Sequence, residues 1–298
     1  MKSMLKNKYY DEIVNMKISK NFIPVLNAWQ RLSENMKNHP IDYPVIIPDM
    51  LWVAKSGIGR TQLLRLVSEY LSAQGNIMEF YGEVKFFEFL LDYCSPNAEF
   101  HELERLMNEI EHAAGFRSEY KGIVCVDVDQ WLNHCEEKHF ISLMEYLSSH
   151  SDKWLIIFSV SDNDMEAVNQ LEAVITMYTR IERVEFYLPE TVCLFDYVDD
   201  FMYRYGFTMQ DEARQLLIES VDVLRESKYF DGFKTLKMIC SDIIYDLYSR
   251  ENFDGYTVTA EMLSDFSKDS EYIRRTIINR EKVGRIGFST EGEKKHGQ

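Results

Sequence analysis

The stretch Ala54-Lys-Ser-Gly-Ile-Gly-Arg-Thr61 decides the reading of this chain. A phosphate-binding loop has the form G-x-x-x-x-G-K-[ST]. Here alanine stands at the first glycine and arginine at the lysine. The surroundings of the stretch are more specific than the stretch itself. Met50-Leu-Trp-Val53 precedes it, a short apolar run that reads as a buried strand. Thr61 to Ala73 follows as an amphipathic helix, with Leu63, Leu64, Leu66, Val67, Tyr70 and Leu71 apolar. Strand, glycine loop and helix in that order aim backbone N–H groups and a helix N-terminus at one point, where an anion can sit. Gly57 and Gly59 let the backbone turn, and Thr61 is placed to offer a hydroxyl to Mg²⁺. Arg60 keeps the charge of the usual lysine, but its planar head is bulkier and prefers a two-pronged partner. The alternative is a βα turn that holds no ligand.

Outward from the loop the pattern alternates. Ile77 to Tyr81 reads as a second strand, Val84 to Tyr93 as a helix, and Ala98 to Ala114 as a charged helix. Gly122-Ile-Val-Cys-Val-Asp127 is an apolar run ending in an acid. Phe140 to Ser148 is helical, Trp154-Leu-Ile-Ile-Phe158 a buried strand, Met165 to Met177 helical, and Val184 to Leu188 a last strand before Pro189. Short apolar strands alternating with helices imply a parallel sheet covered on both faces, and such sheets bind ligands at the carboxyl ends of their strands. The loop and Asp127 both sit at such ends. Upstream, residues 10–37 read as helical, and 39–48 as a connector. Downstream of Pro189 helices take over: 192–205, 210–225, 233–248 and 259–266, with Thr208 to Asp211 as a possible cap for the second. Four segments result: 1–47 helical segment and connector, 48–190 α/β core, 191–266 helical domain, and 267–298 a basic tail.

Composition sets the outer limits. The net charge is −16, which argues against non-specific nucleic-acid binding. From Lys268 onward the balance reverses, with eight Lys/Arg against five Asp/Glu, which reads as a solvated or docking tail. Five scattered cysteines with no C-x-x-C pair indicate neither a disulfide framework nor a zinc ribbon and fit a reducing cytoplasm. No apolar stretch is long enough to span a membrane. His134, Cys135 and His139 lie close together but match no standard zinc spacing. Asp199-Asp200 and Asp162-Asn163-Asp164 read as solvated helix ends.

Asp127 is the natural partner of the loop, since an acid ending an apolar strand can hold Mg²⁺ through water. In many ATPases of this plan the next residue is Glu, which orients the attacking water. Here it is Val128, which has no such capacity. Asp129 or Gln130 could substitute only at an irregular strand end; otherwise Asp129 is a solvent-facing acid.

With these residues in place the chain resembles the AAA+ ATPases, and within them the CbxX/CfxQ group that includes rubisco-activase-like proteins. The resemblance covers roughly residues 10–265. Ala54 to Thr61 resembles the AAA+ G-x-P-G-x-G-K-T loop, and Ile123 to Val128 its hhhhDE strand. Leu155 to Ser161 resembles the sensor-1 strand, with Ser159 or Ser161 at the polar position. Met177-Tyr-Thr-Arg-Ile181 resembles the segment carrying the arginine finger, which would be Arg180; the alternative is a surface arginine. Phe230 to Lys237 resembles the sensor-2 segment, with Lys234 on the arginine position or simply on a helix surface.

The resemblance implies a five-stranded parallel sheet in the order 5-1-4-3-2 followed by a small all-α lid. It implies ATP or ADP held by Ser56, Gly57, Ile58, Gly59, Arg60, Thr61 and Gln62, with Ser159 and Lys234 beside the phosphates. Thr61 and Asp127 would hold Mg²⁺, and Asp127 and Arg180 would be the catalytic pair. Ring assembly with like or unlike AAA+ subunits and a protein substrate or partner complete the expectation. The departures at Ala54, Arg60, Val128 and Lys234 point to weak or absent hydrolysis. The competing expectation is a pseudo-ATPase scaffold that assembles without using nucleotide. A nucleic-acid loader is disfavoured by the charge.

Overall fold

The apolar runs around the loop assemble into one parallel sheet. The computed structural model describes residues 2–39, 45–55, 57–75, 77, 84–114, 122–151, 153–161, 164–227, 230–250 and 256–276. Its strands are β1 (Asp49–Ala54), β2 (Lys85–Leu90), β3 (Gly122–Asp127), β4 (Trp154–Val160) and β5 (Ile181–Phe186). They lie in the order β2-β3-β4-β1-β5, all pairs parallel, which is the expected order. The three central strands are buried on both faces, so each reads as a continuous apolar run.

Side chains alternate across this sheet, and the alternation positions the site. Leu51 and Val53 of β1, Val124 and Val126 of β3, and Ile156, Phe158 and Val160 of β4 share one core cluster. That cluster is closed by residues of α4 (His101–Ala114), α5 (Lys138–Ser148) and α6 (Met165–Thr176). The intervening residues, Trp52, Cys125, Asp127, Ile157 and Ser159, have the opposite parity. The other side carries the N-terminal segment: Phe22 meets Trp29, Trp52 and Phe186 with ring centroids 5.6, 5.9 and 6.4 Å apart. The helix α3 (Arg60–Gln74) follows the loop and buries Leu63, Leu64, Leu66, Val67, Tyr70 and Leu71.

Two expectations upstream of Pro189 need correction, and a third is not tested. The segment from Val84 to Tyr93 is not a helix; its middle is the edge strand β2. Phe87 and Phe89 face the core cluster at strand spacing, and the aromatics favour the pleated surface. The strand expected at Ile77 to Tyr81 falls largely outside the described residues. The helix expected over 10–37 is two helices, α1 (Lys2–Asn15) and α2 (Ile23–Asn38). A 3-10 turn at Ser19–Asn21 separates them, where buried Ser19 donates to the carbonyls of Ile13 at 2.6 Å and Met16 at 2.8 Å. Pro24 then opens α2, a position where its missing N–H costs nothing.

The chain divides into two units, Met1–Leu188 and Pro189–Gln298. The second holds α7 (Thr191–Arg204), α8 (Asp211–Arg225) and α9 (Gly232–Ser249). It is not wholly helical. The two-residue strands β6 (Thr208–Met209) and β7 (Thr257–Val258) pair in parallel, so Thr208 sits in a strand and makes no side-chain cap for α8. Residues 259–266 form turns and the 3-10 stretch Ser264–Phe266 rather than a helix. None of the described helices is long and apolar enough to cross a membrane.

Candidate functional site

The loop leaves β1 at Ala54 and enters α3 at Arg60, with Gly57 at φ 75° and Gly59 at φ 94°. Both glycines occupy the left-handed region that a side chain disfavours. Buried Ile58 anchors the loop between them. Thr61 and Gln62 face solvent in the first turn of α3. Ser56 lies outside the described residues.

Strand parity brings the acids to Arg60. Asp127 and Ser159 are direct partners across the β3–β4 pair, and Glu88 pairs with Cys125 across β2–β3. Arg60 Nη1 lies 3.0 Å from Asp127 Oδ2 and also donates to Ser159 Oγ. Arg60 Nε is 3.7 Å from Glu88 Oε1. Burial works against the Arg60 charge, but Cys125, Asp127, through charge and hydrogen bond, and Glu88 together outweigh it, so its pKa lies above the ordinary value. Cys125 adds nothing at neutral pH, because burial pushes its own thiol up to about 12. The guanidinium is therefore a fixed positive charge between the ends of three strands.

The position that would activate water is inverted. Val128 is 0% exposed and belongs to the core cluster on the other side of the sheet. Its N–H continues the pairing by donating to the Ser159 carbonyl at 3.0 Å. Asp129 is tied down: its Oδ1 accepts the Ser161 N–H at 2.8 Å and the Ser161 hydroxyl at 2.6 Å. The Asp129 N–H in turn donates to Asp127 Oδ1 at 3.2 Å.

A similar fold recurs in solved structures. A Thermotoga maritima RuvB variant is 10% identical and has a TM-score of 0.51, the match covering 90% of this chain and 78% of that one. A second variant of the same protein is 9% identical with a TM-score of 0.50, covering 85% and 74%. The fold is that of AAA+ P-loop domains. No family model and no curated protein matches the sequence.

One of the site residues expected from the AAA+ resemblance lies apart from the loop, and another belongs to the second unit. Arg180 immediately precedes β5, and its carbonyl accepts the N–H of Asp49, the first residue of β1. It is therefore at the amino-terminal edge of the parallel sheet, roughly 17 Å of strand length from the loop. Its side chain is exposed. Lys234 is exposed in the first turn of α9, in the second unit. Glu88 was not expected, because its segment reads as a helix. The histidines do not gather a metal: His134 Nδ1 pairs with Glu137 at 2.7 Å, and His139 Nε2 with the Ala98 carbonyl at 3.1 Å. No group of three or more His, Cys, Asp or Glu among the described residues is arranged to hold a metal ion. Asp164 caps α6, accepting the Ala167 N–H, while Asp199 and Asp200 pair with Arg214 and Arg204.

Proposed function

We propose that this chain binds ATP or ADP on the loop from Ser56 to Thr61, hydrolyses it weakly or not at all, and serves as a protein-remodelling or regulatory subunit. The AAA+ fold supports the binding half of this reading. The carrying observation for the other half is the loss of a water-activating carboxylate: Val128 is in the core, and Asp129 is bound to Ser161. In this reading the backbone N–H groups of Gly57 to Thr61 and the α3 N-terminus receive the phosphates. Arg60 supplies the cation and Ser159 orients it. Thr61 is exposed in the first turn of α3 and fits a role at a metal or phosphate oxygen. Asp127 in its present contacts does not fit a metal, since Arg60 and the Asp129 N–H hold its two oxygens. Arg180, exposed and far from its own loop, fits a contact with another subunit of a ring. Lys234 remains the candidate on the lid.

Calorimetric titration with Mg·ATP and with ADP tests the binding. Micromolar affinity, weakened by at least about tenfold in Arg60→Ala, supports the site. Fast Mg-dependent turnover, lost on Asp127→Ala, sinks the claim of weak hydrolysis.

The Arg60–Asp127 contact also supports a second reading, a scaffold that assembles without nucleotide, because the chain supplies its own cation to the strand ends. Light scattering with and without ATP separates the two. Nucleotide-dependent assembly supports the first and indifferent assembly the second.

A further inference from the structure

We propose that a nucleotide at this site binds as the metal-free anion, with Arg60 standing in the metal's place, and that the preferred ligand is a nucleoside diphosphate. The inference rests on the nucleotide reading above. Magnesium demands oxygen ligands in a near-octahedral shell and keeps several of its waters. The carboxylate that would hold such a shell is Asp127, and both its oxygens are already used. Oδ2 receives the Arg60 guanidinium at 3.0 Å and Oδ1 the Asp129 N–H at 3.2 Å. Asp129 is turned toward Ser161, whose N–H and hydroxyl both donate to its Oδ1. A metal entering here must displace Arg60 or share the space with a half-buried like charge.

Arg60 is equipped to take the metal's task. Its charge is not lost at any working pH. Two partners fix Nη1, namely Asp127 and Ser159, so the head group is oriented before any ligand arrives. Nη2 has no partner among the described residues, which leaves its two N–H bonds as charged donors for phosphate oxygens. The charge balance selects the ligand. One guanidinium faces two carboxylates, Asp127 and Glu88, and the helix N-terminus adds only about half a charge. Each further phosphate charge is unmatched without a metal, so a diphosphate is held at least as well as a triphosphate.

The test is calorimetric titration of the full chain with ADP, in EDTA and in excess Mg²⁺. The dissociation constants are expected to agree within about threefold, and ATP in EDTA to bind no tighter than ADP. Arg60→Lys withdraws the fork from Asp127 and is expected to bind about tenfold tighter with Mg²⁺ than without. Asp127→Asn removes the metal's carboxylate but keeps Arg60, and its dissociation constants with and without Mg²⁺ are expected to agree with each other within about threefold. A loss of about tenfold or more when EDTA replaces Mg²⁺ in the parent protein overturns the inference and leaves the nucleotide reading standing. A similar loss for Asp127→Asn on the same change of buffer overturns it too. An absence of binding in both buffers overturns the nucleotide reading, and this inference with it.

Discussion

Asp127 and Val128 are neighbours in the chain, yet they face opposite sides of the sheet. Asp127 turns toward Arg60, while Val128 is sealed in the cluster formed with Trp131, Phe140 and Phe158. The alternation of a strand forces this, because consecutive side chains point to opposite faces. Val128→Glu therefore places a carboxylate in the core instead of restoring a water-activating group. The expected result is a loss of about 4 kcal/mol in chemical denaturation and no gain in ATP turnover. A stable variant with measurable turnover means that the strand end rearranges on binding.

Glu88 lies 3.7 Å from Arg60 and leaves the strand ends with more carboxylates than cations. Glu88→Gln keeps the shape and removes a negative charge from the neighbourhood of the bound phosphates. Arg60 is still held by Asp127 and Ser159. Affinity for ADP is expected to rise by about fivefold, roughly 1 kcal/mol, and the gain to shrink with added salt. An unchanged or weaker titration curve argues that phosphates do not approach these strands.

How much of this was legible in the sequence follows from burial. Strands β1, β3 and β4 are covered on both faces, so their apolar runs are unbroken and easily found. The edge strand β2 is Lys85-Phe-Phe-Glu-Phe-Leu90, whose apolar residues satisfy helical and strand spacing alike. Only its pairing with β3 decides between them. Glu88 was lost with that strand. The loop and Asp127 were legible because each marks a strand end, whereas Ser159, with Ser161 as its alternative, was implied only by the AAA+ resemblance. The contact from Asp129 to Ser161 was not, since it joins the ends of two strands 32 positions apart.

Phe22 ties the N-terminal segment to the sheet. It is fully buried and meets the rings of Trp29, Trp52 and Phe186 in a cluster that a strand-by-strand reading does not reveal. Phe22→Ala is expected to cost about 3–5 kcal/mol of stability, through lost burial and the cavity left between helix and sheet. Urea denaturation followed by tryptophan fluorescence measures it. A cost below about 1 kcal/mol means the segment is not integral to the α/β unit.

Asp49 gives the first unit an unusual pH dependence. Its carboxyl is buried at the start of β1, and burial pushes its pKa up to about 6 from 3.8. The hydrogen bonds it accepts, from the Thr179 hydroxyl at 2.6 Å and the Ile156 N–H at 2.9 Å, offset this only in part. With the folded pKa raised, the folded state binds the extra proton between pH 3.8 and about 6. The contribution to stability is thus complete below that window and lost as pH rises through it, the reverse of an ion-paired aspartate. The shift corresponds to about 3 kcal/mol. Asp49→Asn removes the titration while its amide oxygen still accepts from Ile156 and its NH₂ can donate to Thr179. The stability of the variant relative to the parent, from urea curves across pH 4 to 8, is expected to climb with pH by about 2.5 kcal/mol and level off above about pH 7. Taking the difference between two chains cancels every other titrating group. A difference that stays flat across the range would show that the Asp49 carboxylate is stabilised where it sits, and that burial does not govern its proton.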